Sequence, residues 1–272
     1  LYLLENGLNS FYTGENAEKI VEYLSSKGGI ISRDDLIKYQ PIWRDPFVFK
    51  FKDLKIITMG LPSSGGIVMN QILKSLNFLD QKSLFNSELQ YVRALVELEK
   101  LSFADRSFYL GDPDFIDDSF IDSIVSYNYL FSRFNNIDFE NPKKSLEINH
   151  GNINLDESYE TTHYSIIDSF GNAVSVTTTL NSNFGSKLIP PSLGFFLNNE
   201  MDDFSIKSGF PNIYGLVGGK NNSVVAEKRM LSSMTPTIIE KNNKIYMILG
   251  SPGGPTIITS VLQTILNVSL FN

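Results

Sequence analysis

The stretch from residue 161 to residue 180 constrains the fold most. Thr162-His163-Tyr164-Ser165-Ile166-Ile167 loosely alternates polar and apolar residues of β-branched and aromatic type. Asp168-Ser169-Phe170-Gly171-Asn172 is turn chemistry, and residues 173–180 form a second β-branched run. The pattern predicts a β-hairpin. Immediately upstream, residues 135–160 are rich in Asn, Asp, Glu, Ser and Lys, with Pro142 and little apolar content. That composition predicts a long exposed loop, a feature that in compact domains is usually functional or disordered. A polar loop running straight into a strand suits a chain break, because the new amino terminus stays on the sheet while the old segment swings away. Thr161 sits at that junction. An alcohol is a poor nucleophile without a base, but a threonine heading a chain carries its own in the α-amine, which titrates at about pH 8. Thr161 and Thr162 are equally compatible with plain strand residues, and spacing alone leaves both readings open.

Composition narrows the function classes. The chain has 272 residues, 42% of them hydrophobic, enough for a sizeable core in one large domain or two small ones. A formal net charge of -7 with no basic run argues against a phosphate-backbone binder, so no nucleic-acid partner is expected. Cysteine is absent, which excludes disulfides, thiol catalysis and Cys-based metal sites without fixing a compartment. The two histidines, His150 and His163, make a His-built metal site an unlikely design, and no metal or cofactor is expected. No stretch is long and apolar enough to span a bilayer as a helix. Asn221-Asn222-Ser223 and Asn267-Val268-Ser269 match the N-glycosylation triplet, which matters only in a eukaryotic secretory protein.

Taken in order, residues 17–24 read as a short helix stopped by Gly28-Gly29, and residues 32–35 as a capping-box start for a brief helix ending before Pro41. Residues 47–51 and 54–58 pair as strands around Lys52-Asp53. Trp43, the only tryptophan, is expected in the core. Pro62-Ser63-Ser64-Gly65-Gly66 turns into a helix over 66–76. It lacks the lysine of a P-loop, and a packing or site-wall role is favoured over an anion nest. Residues 87–103 and 118–134 read as further helices. Asp105-Arg106 is either an internal ion pair or part of a site wall. Residues 245–249 form a strand that leaves through Gly250-Ser251-Pro252-Gly253-Gly254 into an apolar helix. The half before Thr161 has too few strands for a sheet of its own, so one interlocked domain is expected.

Several residues carry chemistry beside a bland alternative. Thr179 on the second hairpin strand can return beside Thr161, or be an ordinary strand threonine. Asn181 follows two residues later on the same face. Glu200, Asp202 and Asp203 crowd three acids into four residues. Such acids raise one another's pKa unless a cation intervenes, whether a substrate ammonium or an oxygen-bound Ca²⁺. A solvated loop is the alternative, against which Met201 and Phe204 suggest partial burial. Ser232-Ser233 offers two hydroxyl donors. Gly253 and Gly254 open a helix whose first N–H groups favour negative charge, or simply make a turn.

These motifs together resemble the γ-glutamyltransferase family. The similarity runs through Thr161-Thr162-His163-Tyr164-Ser165, Asp168, Gly171-Asn172-Ala173-Val174, Thr179-Leu180-Asn181, Leu197-Asn198-Asn199-Glu200-Met201-Asp202-Asp203-Phe204, Tyr214-Gly215-Leu216-Val217-Gly218-Gly219, Leu231-Ser232-Ser233-Met234 and Gly250-Ser251-Pro252-Gly253-Gly254. Upstream, Pro62-Ser63-Ser64-Gly65-Gly66, Asp105-Arg106-Ser107 and Leu110-Gly111-Asp112-Pro113-Asp114 resemble the end of that family's large subunit. The resemblance implies an α+β fold, the four-layer αββα sandwich of N-terminal-nucleophile hydrolases, and self-cleavage between Glu160 and Thr161. Residues 1–160 would then be the C-terminal part of a large subunit and 161–272 the N-terminal part of a small one, a fragment of the precursor. The implied activity cleaves γ-glutamyl amides such as glutathione and transfers the group to water, amino acids or dipeptides. Thr161 would be the nucleophile supported by Thr179, with Gly253 and Gly254 as oxyanion hole. Asn181, Glu200 and Asp203 would hold the substrate α-amine, and Ser232 and Ser233 its α-carboxylate. Tyr214 would belong to a lid over residues 208–219, and a family arginine for the carboxylate would lie before Leu1. A periplasmic or extracellular compartment is what the family implies. Relatives on the same fold include cephalosporin (glutaryl) acylases and poly-γ-glutamate depolymerases, and a non-catalytic homologue is the reading from another class.

Overall fold

The first helices follow from local signals. A computed structural model describes residues 2–80, 87–135, 137–148, 161–207, 210–213 and 215–271. Short helices α1 (Tyr2–Asn6) and α2 (Ser10–Thr13) precede α3 (Glu15–Ser26), which ends where the Gly29 N–H bonds back to Leu24 O. Ser32 and Asp35 form the expected reciprocal capping box at the start of α4 (Arg33–Lys38). Trp43, in the extended stretch after α4, is wholly exposed rather than buried, which overturns the core expectation. Its apolarity said nothing about whether an element would pack over it.

Strands β1 (Phe47–Phe51) and β2 (Leu54–Thr58) pair antiparallel around Lys52, which takes a positive φ. Helix α5 (Gly65–Leu76) is buried along almost its whole length. Helix α6 (Glu88–Tyr109) is longer than expected, running six residues past 103 and carrying Asp105 and Arg106 inside. Its buried face is Ala94, Leu95, Leu98 and Leu101, whereas Leu89, Val92 and Val96 are exposed. The single helix expected over 118–134 is two, α7 (Ile121–Ile124) and α8 (Tyr127–Phe134). Ser126 breaks it by taking an extended conformation and capping the Tyr129 N–H, a local hydrogen bond that competes with helix continuation.

After residue 161 come β3 (Thr162–Ile167) and β4 (Ala173–Thr178), paired in register from Thr162 opposite Thr178 to Ile167 opposite Ala173. The Asp168 carboxylate closes the turn by accepting from the Phe170 and Asn172 N–H groups. Strands β5 (Thr237–Lys241) and β6 (Lys244–Leu249) form a second hairpin through Asn242 and Asn243, both at positive φ, and α9 (Thr256–Leu270) follows.

The sheet order β1-β2-β5-β6 joins strands from both sides of residue 161. Helix α5 packs on β1 and against α6, α8 and α9. One core results, with Phe49, Ile56, Met69, Ile72, Leu98, Ile239 and Leu262 among its members. The β3-β4 hairpin lies outside that core as a separate two-stranded sheet packed on β5 and β6. Hydrogen bonds stitch the two sheets: the Ser175 hydroxyl donates to Leu249 O and accepts from the Thr237 N–H, and the Ser165 hydroxyl donates to Ile248 O. The described residues thus stack helices, sheet and sheet in three layers, the α, β and β of the expected sandwich, with the head of β3 brought beside the end of β6.

Candidate active site

The β3-β4 ladder sets the position of Thr161. One step beyond the pair Thr162–Thr178, the register places Thr161 opposite Thr179. Both threonines line one pocket, together with Asn181, Glu200, Asp203, Ser232, Ser233 and Gly254. Eight of the residues singled out from sequence therefore converge from five chain segments. Gly253 is not among the lining residues. Glu160 and Tyr214 lie outside the described residues, as do the Glu160–Thr161 bond and His150.

Asn181 arrives by a different route from the one expected. Strand β4 stops at Thr178, and Asn181 has φ +75, so strand alternation does not aim it. Its N–H bonds the Thr179 hydroxyl at 2.8 Å and its side-chain amide donates to Asn199 O at 3.2 Å. A left-handed turn of the kind asparagine tolerates thus swings it into the pocket, 4% exposed.

The three acids separate. A one-turn 3-10 helix over Glu200–Asp203 turns Asp202 outward, where it accepts from the Ile213 N–H at 2.9 Å, while Glu200 and Asp203 face the pocket. Burial pushes Glu200 up to about 7. Burial also pushes Asp203 up to about 8, helped by the neighbouring charge of Glu200 and opposed by Arg106. One buried oxygen of Glu200 has no partner among the described residues. Two partly buried acids that form no salt bridge among the described residues make a pocket that favours a cation.

The Ser232-Ser233 segment is held from behind by the Pro62–Gly66 turn. The Ser64 N–H and hydroxyl both donate to Ser232 O, at 3.0 and 2.9 Å, the Ser63 hydroxyl donates to Met234 O at 2.6 Å, and the Ser232 N–H donates to Pro62 O at 2.8 Å. Gly65 has to be glycine, because a Cβ there would fall 2.0 Å from the Thr235 hydroxyl. The turn packs behind the site rather than lining the pocket, and the motif's serines act as clamps. Asn222, which sequence reading passed over, ties the other side: its amide donates to Asp203 O at 2.7 Å and its carbonyl accepts from the Leu231 N–H at 2.9 Å.

Of the two readings of Asp105-Arg106, internal ion pair or site wall, Arg106 takes the second. Asp105 is not its partner: the Asp105 carboxylate accepts from Gln71, Tyr129 and Arg133, joining α5, α6 and α8. Arg106 instead lines the pocket and donates to the hydroxyls of Ser64 and Ser233. Helix α6 runs past residue 103 and carries both residues, and a step of about 100° between helical neighbours sends their side chains to different faces.

The glycine loop after β6 packs on His163. A Cβ on Gly250 would run into the imidazole, whose nitrogens bond the Thr177 and Ser165 hydroxyls at 2.9 and 3.0 Å. Burial lowers the His163 pKa, favouring the neutral ring. Gly253 and Gly254 have φ of +130 and +53, and among the described residues neither N–H has an acceptor. Among the described residues no cluster of metal-ligating side chains gathers, and no helix is long and apolar enough to cross a membrane.

The sequence profile described as Gamma-glutamyltranspeptidase matches residues 2–272. The chain belongs to the gamma-glutamyltranspeptidase family. It is 44% identical over 265 residues to the glutathione hydrolase proenzyme of Escherichia coli (strain K12), covering 97% of this chain and 46% of that protein. It is 39% identical over 272 residues to the glutathione hydrolase proenzyme of Pseudomonas aeruginosa, covering 99% and 48%. The chain thus spans about half the length of the curated relatives it matches. Among solved structures, a cephalosporin acylase from Bacillus halodurans superimposes over 99% of this chain and 46% of its own, with a TM-score of 0.80 at 21% identity. That likeness shows a shared α+β fold.

Proposed function

We propose that the protein cleaves γ-glutamyl amides, glutathione among them, and passes the γ-glutamyl group to water, an amino acid or a dipeptide. Residues 1–160 then belong to the large subunit and 161–272 to the small subunit of one precursor, cut before Thr161. The observation that carries this reading is the pocket itself, in which a threonine at the head of a strand shares one cavity with two acids and two serines.

In this reading the Thr161 hydroxyl attacks the γ-carbonyl carbon, and the α-amine freed by cleavage takes the hydroxyl proton. The carbonyl oxygen becomes an oxyanion stabilised by the N–H groups of Gly253 and Gly254, each such donor being worth about 3 kcal/mol of barrier. Collapse breaks the C–N bond, the ammonium of Thr161 returns its proton to the departing amine, and a γ-glutamyl ester remains on Thr161. Water or an acceptor amine then attacks the ester, loses a proton to the same α-amine and releases Thr161. Thr179 supports the nucleophile. Glu200, Asp203 and Asn181 receive the substrate ammonium, and Ser232 and Ser233 its carboxylate.

The acids at Glu200 and Asp203 favour a γ-glutamyl group over a glutaryl one, which has no amine to offset them. Hydrolysis of γ-glutamyl and glutaryl anilides by the cleaved protein tests this. The reading expects turnover of the first and at least about 100-fold less of the second, on the scale of one lost buried charge pair. Preference for the glutaryl compound would contradict it.

A further inference from the structure

Arg106 is a buried cation that the family motifs leave without a task. It is 4% exposed and is the basic residue among those lining the pocket. Its sequence neighbour Asp105 is committed to Arg133, and among the described residues Arg106 forms no salt bridge. Among the described residues its side chain bonds two hydroxyls: Nε donates to Ser64 Oγ at 2.8 Å and Nη2 donates to Ser233 Oγ at 3.1 Å.

The donor sense of those bonds has a consequence. A serine hydroxyl carries one proton and two lone pairs, and a guanidinium can only donate. Ser233 Oγ therefore accepts from Arg106, and its own proton has to go elsewhere. Ser64, in the same position, sends its proton to Ser232 O. Ser233 has no such acceptor among the described residues and lines the pocket. Ser232 is set up in the same sense, its Oγ accepting from the Met234 N–H at 3.1 Å. Both hydroxyls are thus left to donate into the cavity.

We propose that Arg106 is a positioning residue that fixes Ser233 as a hydrogen-bond donor and makes that end of the pocket selective for a carboxylate. The inference rests on the pocket assignment above. Arg106 supplies positive potential beside Ser233 and also feels the charge of Asp203, so the cation and the two acids share one cavity that offers partners to both the carboxylate and the ammonium of an α-amino acid. The planar fork reaches two hydroxyls at once, which a lysine ammonium does not reproduce. Because Arg106 acts through Ser233, its loss weakens carboxylate recognition and leaves the acyl-transfer chemistry in place.

The test uses the protein at its natural length with Arg106→Gln, Arg106→Lys, Ser233→Ala and the Arg106→Gln/Ser233→Ala pair. Calorimetry measures the Kd of L-glutamate and of its α-carboxamide, and γ-glutamyl anilide kinetics give KM and kcat. Arg106→Gln should raise the glutamate Kd and the KM about tenfold or more, with the carboxamide Kd and kcat changed by less than about threefold. Added to Ser233→Ala, it should cost nothing further. Arg106→Lys, which keeps the buried charge if the glutamine variant fails to fold, should restore only part of the glutamate affinity. Equal losses for glutamate and carboxamide, full additivity with Ser233→Ala, full rescue by lysine, or no binding of glutamate by the unaltered protein would overturn the proposal. Glutamate binding with the expected Arg106 dependence, but no turnover of γ-glutamyl compounds, would overturn the functional reading and leave this one standing.

Discussion

The two pocket acids make ligand binding depend on pH in a calculable way. Glu200 and Asp203 sit at about 7 and about 8 because burial disfavours their charged forms. An ammonium ligand needs them ionised. Below those values, binding first has to expel protons, so affinity should rise with pH and level off near pH 8. For Asp203 alone, each pH unit below its pKa costs about 1.4 kcal/mol, or about tenfold in Kd. Glu200 adds a smaller increment near neutrality. Calorimetry of L-glutamate binding from about pH 6 to about pH 8.5, in buffers of different ionisation enthalpy, should show this slope and about one proton released per ligand near pH 7. Asp203→Asn removes the titrating group and one charge of the pair. Two charges about 4 Å apart attract by about 4 kcal/mol at an effective dielectric of 20. Subtracting the deprotonation cost leaves about 3 kcal/mol near neutrality, or a Kd about 100-fold weaker with most of the pH slope gone. A glutamate affinity independent of pH in the unaltered protein, or an unchanged slope in Asp203→Asn, would refute the argument.

Other outcomes follow from the same structure. Asp105→Ala strands the Arg133 guanidinium, the Tyr129 hydroxyl and the Gln71 amide between three helices, and should cost about 3–5 kcal/mol in a denaturant melt. Gly250→Ala forces a methyl group against the His163 ring; a loss of about 1–3 kcal/mol is expected, together with lower γ-glutamyl anilide turnover. Glu99 is a partly buried carboxyl raised to about 7 by burial, and one buried oxygen of it has no partner among the described residues. Its folded pKa exceeds the unfolded one, so the folded state holds the proton longer and stability falls as pH climbs from about 4.5 to about 7. Glu99→Gln should therefore flatten that fall and melt higher than the unaltered protein at about pH 8, while matching it near pH 4.

Much of the fold was legible because its signals are local. The Asp168–Asn172 turn, the Lys52-Asp53 hairpin and the Ser32 capping box each close through hydrogen bonds a few residues apart. The pocket residues were legible as motifs but not as a geometry. Asn181 reaches the cavity through a left-handed turn, and Ser64 and Arg106 reach Ser232 and Ser233 across 168 and 127 residues of chain. Where an answer depended on what lies opposite in space, the pattern misled: Trp43 stands exposed for want of a covering element. The 118–134 helix breaks for a local reason instead, because the Ser126 side-chain cap competes with the backbone.

The proposed chemistry requires Thr161 to stand as the first residue of a chain. An intact-mass spectrum of the purified full-length protein, taken beside its Thr161→Ala variant, tests this most directly. Two pieces are expected, the second beginning at Thr161, with the alanine variant whole and unable to hydrolyse a γ-glutamyl anilide. A fully active protein in which Thr161 is still joined to Glu160 would contradict it.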